Sequence, residues 1–292
     1  MTPETYRCSA ASALDAEPMA GTAPEDTAWL LVEYAGSWGR NAVADSRLPD
    51  GVREVLEGAV GVRVQLIRRH GGWAGPGVHV FAARLGATGR VWGTVLERVD
   101  QVTDLDLGAL ARGGDPGLPA HEGPLWLLCT NGRRDRCCAE IGRPVAAALA
   151  ERWPAATWET THLGGHRFSG TLLALPSGVT LGRLDPDTAV EACAEIAAGG
   201  FPTANARGRA GLPAAAQVAE LHVRTALGLD GLHDLDDVSV GLGTGETVSL
   251  TVAGREHRLT VASTPGEPRR QSCADLKLKG APVHTVTGWD RP

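Results

Sequence analysis

WLLCTNGRRDRCCAEIGRPVAAALAERWPAATWETTHLGGHR, residues 126–167, carries three of the chain's six cysteines and two of its nine histidines. They fall in two tight groups: Cys129, Cys137 and Cys138, then His162 and His166 within HLGGH. The apolar run Pro124 to Leu128 predicts a buried strand that ends on Cys129. A helix is predicted from near Cys138 to Trp153. It places that second thiol at a helix N-terminus, where free N–H groups and the macrodipole favour thiolate over thiol. Two thiolates and two imidazoles on loops that close on one another make a metal site of the Cys2His2 type.

On the residues alone, three chemistries remain open. A structural zinc ion takes the same ligands, although zinc fingers use short C-x2–4-C modules and eight residues separate Cys129 from Cys138. A thioredoxin-type redox pair wants Cys-x-x-Cys at the helix start, and the adjacent Cys137 and Cys138 could close only a strained ring. An iron–sulfur cluster accepts thiolates and tolerates two histidines in place of two cysteines.

Working outward, an N-terminal echo of this pattern comes into view. WLLVEY (residues 29–34), a helix over Pro49 to Val60, VRVQLI (62–67), and a hairpin over Val78 to Leu85 and Arg90 to Glu97 follow in order. The same order recurs as WLLC, helix, ATWETTHLGG, and the strand–turn–strand TLLALPSGVTLGRL. Strand–helix–strand–hairpin twice over predicts an α/β (α+β) fold of two tandem thioredoxin-like halves, followed by a C-terminal α/β extension. The expected limits are a lead-in at 1–25, a half without ligands at 26–104, a Gly/Pro-rich linker at 105–123, the ligand-bearing half at 124–190 and the extension at 191–292. In the first copy Gly36 and Trp38 stand near the place of the Cys129 loop, and Gly71 and Gly72 near that of HLGGH.

Elsewhere the expectations are plainer. Asp185-Pro-Asp caps a helix through Ala189 to Ala198, and Cys193 on it reads as a packed residue. Ala206 to Arg209 reads as a flexible basic loop, and Ala214 to Leu227 as a helix on which His222 packs or hydrogen-bonds. Thr247 to Val252 and His257 to Ala262 form a hairpin around Gly254, with His257 facing solvent. Cys8 has no neighbour in sequence and reads as a buried small hydrophobe. Cys273 follows Arg269 and Arg270, which would lower a thiol pKa, yet a structural role is preferred for it.

The downstream segment W-E-x-x-H-x-G-G-H-R-F (Trp158 to Phe168), the C-x8-C frame with Arg134-Asp135 inside it, and Gly142-Arg-Pro144 together resemble the sucrase/ferredoxin-like family of thioredoxin-like [2Fe-2S] proteins. A diluted likeness reaches RCSAASA at Cys8 and QSC at Cys273. The resemblance implies a [2Fe-2S] cluster on Cys129, Cys138, His162 and His166. Cys138 is preferred to Cys137 because the family pattern is R-D-x-x-C followed by a small residue, here Ala139. Nothing in these residues points to sugar chemistry.

A cluster with two neutral imidazoles is neutral when oxidised, where four thiolates would leave two negative charges. Its potential should therefore lie above those of plant-type ferredoxins. Arg133, Arg134 and Arg136 either push the same way or simply solvate the loop. There is no G-x-G-x-x-G after a strand and no Walker loop, so a non-enzymatic electron carrier is favoured over an enzyme. One-electron transfer is expected, coupled to a proton on the two imidazoles, with an unidentified redox protein as partner. A net charge of −6 argues against nucleic acid. No window approaches a membrane span of about 18 apolar residues, and the N-terminus lacks a signal-peptide pattern, so a cytoplasmic protein is expected.

Overall fold

Two strand–helix–strand–hairpin units lie side by side in a single nine-stranded sheet. The computed structural model describes residues 5–72, 75–241 and 246–291; residues 1–4 of the expected lead-in, and 73–74 of the Gly-rich loop after His70, lie outside them. The rest of the lead-in is packed: Cys8–Leu14 is a helix (α1), and Gly21 N–H donates to the Arg207 carbonyl.

Ala28–Glu33 (β1) is buried at every position, as its apolar run requires of a central strand. Asp50–Glu57 (α2) returns the chain to Arg63–Arg68 (β2), which pairs parallel to β1. Val78–Arg84 (β3) and Arg90–Leu96 (β4) then form the hairpin, with β3 antiparallel to β1. A short helix, Leu107–Ala111 (α3), capped by the Asp106 side chain, sits within the connection to the second unit.

There the pattern repeats. Leu125–Cys129 (β5), Arg136–Arg152 (α4) and Thr157–Thr160 (β6) make a parallel βαβ unit. Leu172–Leu175 (β7) and Val179–Leu181 (β8) add the hairpin. The spatial order is β4-β3-β1-β2 in the first unit and β8-β7-β5-β6 in the second. The units join where β2 meets β6 antiparallel, Ile67 opposite Thr160 and Arg68 opposite Glu159. Because equivalent strands pair antiparallel, the two thioredoxin-like halves are related by an approximate two-fold axis through that seam.

Pro186–Ala197 (α5) starts on an Asp185 cap as expected, and the buried Cys193 packs in the core, where burial pushes its thiol pKa up. Residues Ala206–Arg209, expected to be a flexible loop, are instead a fully buried strand (β9) on the edge of β8. The error has a physical source: Arg207 and Arg209 are buried because partners distant in sequence satisfy them. Arg209 bonds Glu220 at 2.8 Å, and Glu220 in turn takes Arg224 at 3.0 Å, which anchors Ala214–Leu227 (α6) to β9.

The apolar side of α6 packs on a separate antiparallel sheet. Its strands are Asp237–Gly241 (β10), Glu246–Val252 (β11), Arg255–Pro265 (β12) and, after the short pair Arg269–Arg270 (β13) and Leu278–Lys279 (β14), Pro282–Asp290 (β15). The β11–β12 turn at Ala253-Gly254 has positive φ at both residues, as a tight hairpin requires. His257, expected to face solvent, is buried. It shares the inward face with Leu259 and Val261, and Trp289 of β15 covers it, its indole N–H donating to His257 Nδ1 at 3.3 Å. His222 meets the same Trp289 edge-on, at 5.4 Å between ring centroids.

Candidate metal centre

β5 delivers Cys129 to the end of the sheet, and its N–H donates to the Thr171 carbonyl. α4 begins seven residues on, capped by Asp135, whose side chain accepts from Cys137 N–H at 2.9 Å. One helical turn later Gly142 lies against β5, where a Cβ would overlap the Cys129 carbonyl oxygen. That glycine lets the helix touch the strand end, and so brings Cys138, in the first turn, beside Cys129.

β6 supplies the third donor. The chain leaves it at Thr160 and reaches His162, whose carbonyl accepts from Arg63 Nη2 of the first half at 3.0 Å. His162 Nδ1 stands 3.8 Å from Cys129 Sγ and 4.0 Å from Cys138 Sγ. The three donor atoms lie within 4.8 Å of one another. Gly164 and Gly165 then turn the chain with φ of +93° and +69°, in the left-handed region that favours glycine. At Gly165 a Cβ would also run into the Arg207 guanidinium.

His166, the fourth expected ligand, stands behind His162 rather than inside the group of three, with ring centroids 5.1 Å apart. The hydrogen bonds order the protons on both rings. His166 Nε2 meets the Gln271 carbonyl, which can only accept, so that nitrogen carries the hydrogen. In the neutral ring, which burial favours by lowering the His166 pKa, Nδ1 is then an acceptor. It faces His162 Nε2 at 3.4 Å, which must donate. His162 Nδ1 is turned towards the two sulfurs. A soft metal wants this arrangement: two sulfurs and one imidazole nitrogen converging, with a second imidazole Nδ1 next in line.

The thiols share their charge unequally. Cys129 is held well below the usual thiol range by the bond from Cys138, helped by His162 and the Leu163 N–H. Cys138 is pushed up by Cys129, by burial and by the charge of Asp135. At Cys138 the neighbouring Cys129, burial and the charge of the Asp135 cap all oppose the lowering expected of a helix N-terminus.

Two charged residues of this site escape a reading of the sequence. Arg207 is buried beneath the glycine turn, donating to the Gly164 carbonyl at 3.2 Å, to Thr22 Oγ1 at 3.0 Å and to the Thr22 carbonyl. Burial pulls its pKa down to about 10, and charge on Cys129 opposes the fall. Arg167 bonds Glu17 at 2.6 Å and donates to the Arg270 carbonyl, tying the lead-in and the C-terminal segment to the His166 turn. The alternation of Ala206 and Gly208 with Arg207 and Arg209 was the available signal, a strand period of two with space left for long side chains.

Cys137 points away from Cys129 and His162, towards Cys8 and Cys273. Cys8, read as an isolated hydrophobe, thus has two sulfur neighbours. Cys273 is pushed up to about 11, chiefly by its bond with Cys137, against the lowering expected from Arg269 and Arg270. Among the described residues no helix is long and apolar enough to cross a membrane.

A family model described as sucrase/ferredoxin-like matches residues 19–207, about two thirds of the chain, and includes Cys129, Cys138, His162 and His166. No curated protein and no solved structure matches. The chain, with its paired halves and its Cys/His group able to hold a metal, belongs to the sucrase/ferredoxin-like family.

Proposed function

We propose that this protein is a one-electron carrier that holds a [2Fe-2S] cluster on Cys129, Cys138, His162 and His166. The observation that carries the reading is the convergence of both sulfurs with His162 Nδ1, with His166 Nδ1 beyond it. When bound, such a cluster takes up and gives back one electron, at a potential that two neutral ligands raise.

The chain's own groups do the rest. Cys129 offers a thiolate already poised; Cys138 gives up its proton on binding. Arg63 holds the His162 backbone, and the Gln271 carbonyl accepts from His166 Nε2, which leaves His166 Nδ1 as an acceptor. His162 Nε2 keeps its proton when Nδ1 is the ligand atom, so an electron can move together with a proton. Arg133 is exposed on the loop between the two cysteines and suits a redox partner protein with an acidic face. Thiols that must stay reduced fit a cytoplasmic setting, and the reading calls for no small-molecule substrate.

Anaerobic purification with iron and acid-labile sulfide assays tests it. Two irons and two sulfides per chain in a brown protein are expected. A colourless protein with zinc at these residues and no sulfide would overturn the carrier and leave a zinc-stabilised Cys2His2 interaction module.

A further inference from the structure

Cys8 opens α1, Cys137 lies in the first turn of α4, and Cys273 lies between β13 and β14; the first and last are 265 residues apart in sequence. Their sulfurs nevertheless form a triangle with edges of 3.7 Å (Cys8–Cys137), 3.3 Å (Cys137–Cys273) and 3.6 Å (Cys273–Cys8). Asp135 Oδ1 caps the triangle, 3.5 Å from the Cys8 sulfur and 3.1 Å from that of Cys273. Backbone N–H groups of Cys137 and Cys273 hold the carboxylate at 2.9 and 2.8 Å, which fixes the direction in which it points. All four residues are buried, and their donor atoms lie within 4.8 Å of one another.

We infer that Cys8, Asp135, Cys137 and Cys273 form a second metal site, a tetrahedral Cys3Asp site for zinc(II) that is separate from the Cys129 centre. Zinc–sulfur bonds of about 2.3 Å and a zinc–oxygen bond of about 2.0 Å give tetrahedral edges of about 3.8 Å between sulfurs and about 3.5 Å from sulfur to oxygen. The observed edges lie within about half an ångström of those values. Four donors packed this closely can enclose one ion. Three thiols and a carboxylate also suit a soft divalent ion better than a disulfide, which would use two sulfurs and strand the third beside a buried negative oxygen. On binding, each cysteine gives its proton to solvent and its sulfur lone pair to the ion; no electron changes hands.

The ligands come from both ends of the chain, and Cys8 and Cys273 lie outside the span matched by the family model. The ion would thus bind α1 and the segment after β12 to the start of α4. Those same segments cover the first centre: Cys8 Sγ sits 3.7 Å from the His166 carbonyl, and the Gln271 carbonyl holds the His166 ring. The site acts as a clasp over the second histidine, and it stands or falls independently of what Cys129 binds.

Three forms decide the matter: the wild type, Cys129→Ser/His162→Ala, and Cys8→Ser/Cys273→Ser. Each is grown with zinc, assayed for metal per chain, then exchanged with cobalt(II) for absorption spectra. The expected result is one zinc per chain in the wild type and in Cys129→Ser/His162→Ala. In Cys8→Ser/Cys273→Ser it should fall about tenfold or more, and trypsin should cut before β1 and after β12. The cobalt form of Cys129→Ser/His162→Ala should show thiolate-to-metal charge transfer and a tetrahedral visible spectrum, with three sulfurs and one oxygen by X-ray absorption. Should Cys8→Ser/Cys273→Ser fail to fold, the other two forms still decide. Zinc absent from the wild type, zinc lost in Cys129→Ser/His162→Ala, or a Cys137–Cys273 disulfide in non-reducing peptide mapping would each overturn the inference.

Discussion

The two halves of the sheet share strand order, crossover and hairpin, yet among the described residues only the second gathers Cys and His side chains that could hold a metal. β1 ends in Val32-Glu33 where β5 ends in Leu128-Cys129, and the first half has no cysteine there. Both halves even leave their second parallel strand through paired glycines with positive φ, Gly71-Gly72 in one and Gly164-Gly165 in the other. In the first half Val32 is fully buried in a core that includes Trp38, Leu48, Val52 and Leu56. The fold therefore supplies a geometry, and a few side chains decide whether it becomes a core or a metal centre. The first half still takes part, since its Arg63 holds the His162 backbone and its Arg68 and His70 bind Glu159 across the seam, at 2.9 Å each.

The largest effect expected from breaking this comparison is at the cysteines. Cys129→Ser or Cys138→Ser should lower iron content about tenfold or more, because each removes a proposed ligand. Cys137→Ser should keep most of the iron, since that side chain faces Cys8 and Cys273. Full iron in Cys138→Ser, with loss in Cys137→Ser, would show that the adjacent thiol is the ligand. Val32→Cys should bind no additional metal, because the first half lacks the other donors; extra iron in that variant would show that the halves are closer in capacity than their side chains suggest.

The seam comes next. Burial alone would raise the Glu159 pKa, but Arg68, Thr130 and His70 outweigh it and hold the carboxyl below its ordinary 4.5. A carboxylate with a depressed folded pKa lends stability that is present above the unfolded value and is lost as pH falls through the folded one. Glu159→Ala should therefore cost about 3 kcal/mol near neutrality, with the difference from wild type shrinking below about pH 4.5. Denaturant unfolding at pH 7 and pH 3.5 checks it; a gap that stays constant would mean that the cost is lost packing, not charge.

The glycines sharpen the comparison further. Gly72→Ala meets open space and should cost only the left-handed backbone, about 1 kcal/mol. Gly165→Ala pays that and displaces Arg207 as well, so about 2 kcal/mol or more is expected, with iron content reduced. Equal losses of stability in the two variants would mean that Arg207 moves aside freely and does not brace the histidine turn.

What the sequence made legible was local. The apolar run to Cys129, the Asp185 cap and the Gly254 turn each encode their own structure within a few residues, and the repeated order of elements followed from them. The Cys129–Cys138–His162 group was legible because its parts lie within one βαβ unit. Arg207, His257 and the meeting of Cys8 with Cys273 were not. A buried charge or thiol is specified by partners that the fold brings from far away, and no periodicity in its own neighbourhood reports them. The His166 tautomer belongs to the same class, since it depends on the backbone carbonyl of Gln271, 105 residues on.

That tautomer bears on the smallest effect expected, and the one nearest to function. His162 turns Nδ1 to the sulfurs and keeps a proton on Nε2, 3.4 Å from His166 Nδ1. With the proposed cluster held by His162, oxidised iron would draw electron density from the ring and make that proton easier to lose, and an added electron would reverse the effect. Between the pKa values of the oxidised and reduced forms, reduction must take up a proton, and the potential should fall by up to about 59 mV per pH unit for one electron and one proton. A thiolate ligand has no such proton to exchange. Replacing His162 or His166 by Cys should therefore lower the potential and flatten its slope wherever the cluster still assembles. Voltammetry from pH 6 to pH 10 reads both. A flat wild-type potential over that range would remove the proton from the mechanism and leave the imidazoles as neutral ligands that only raise the potential.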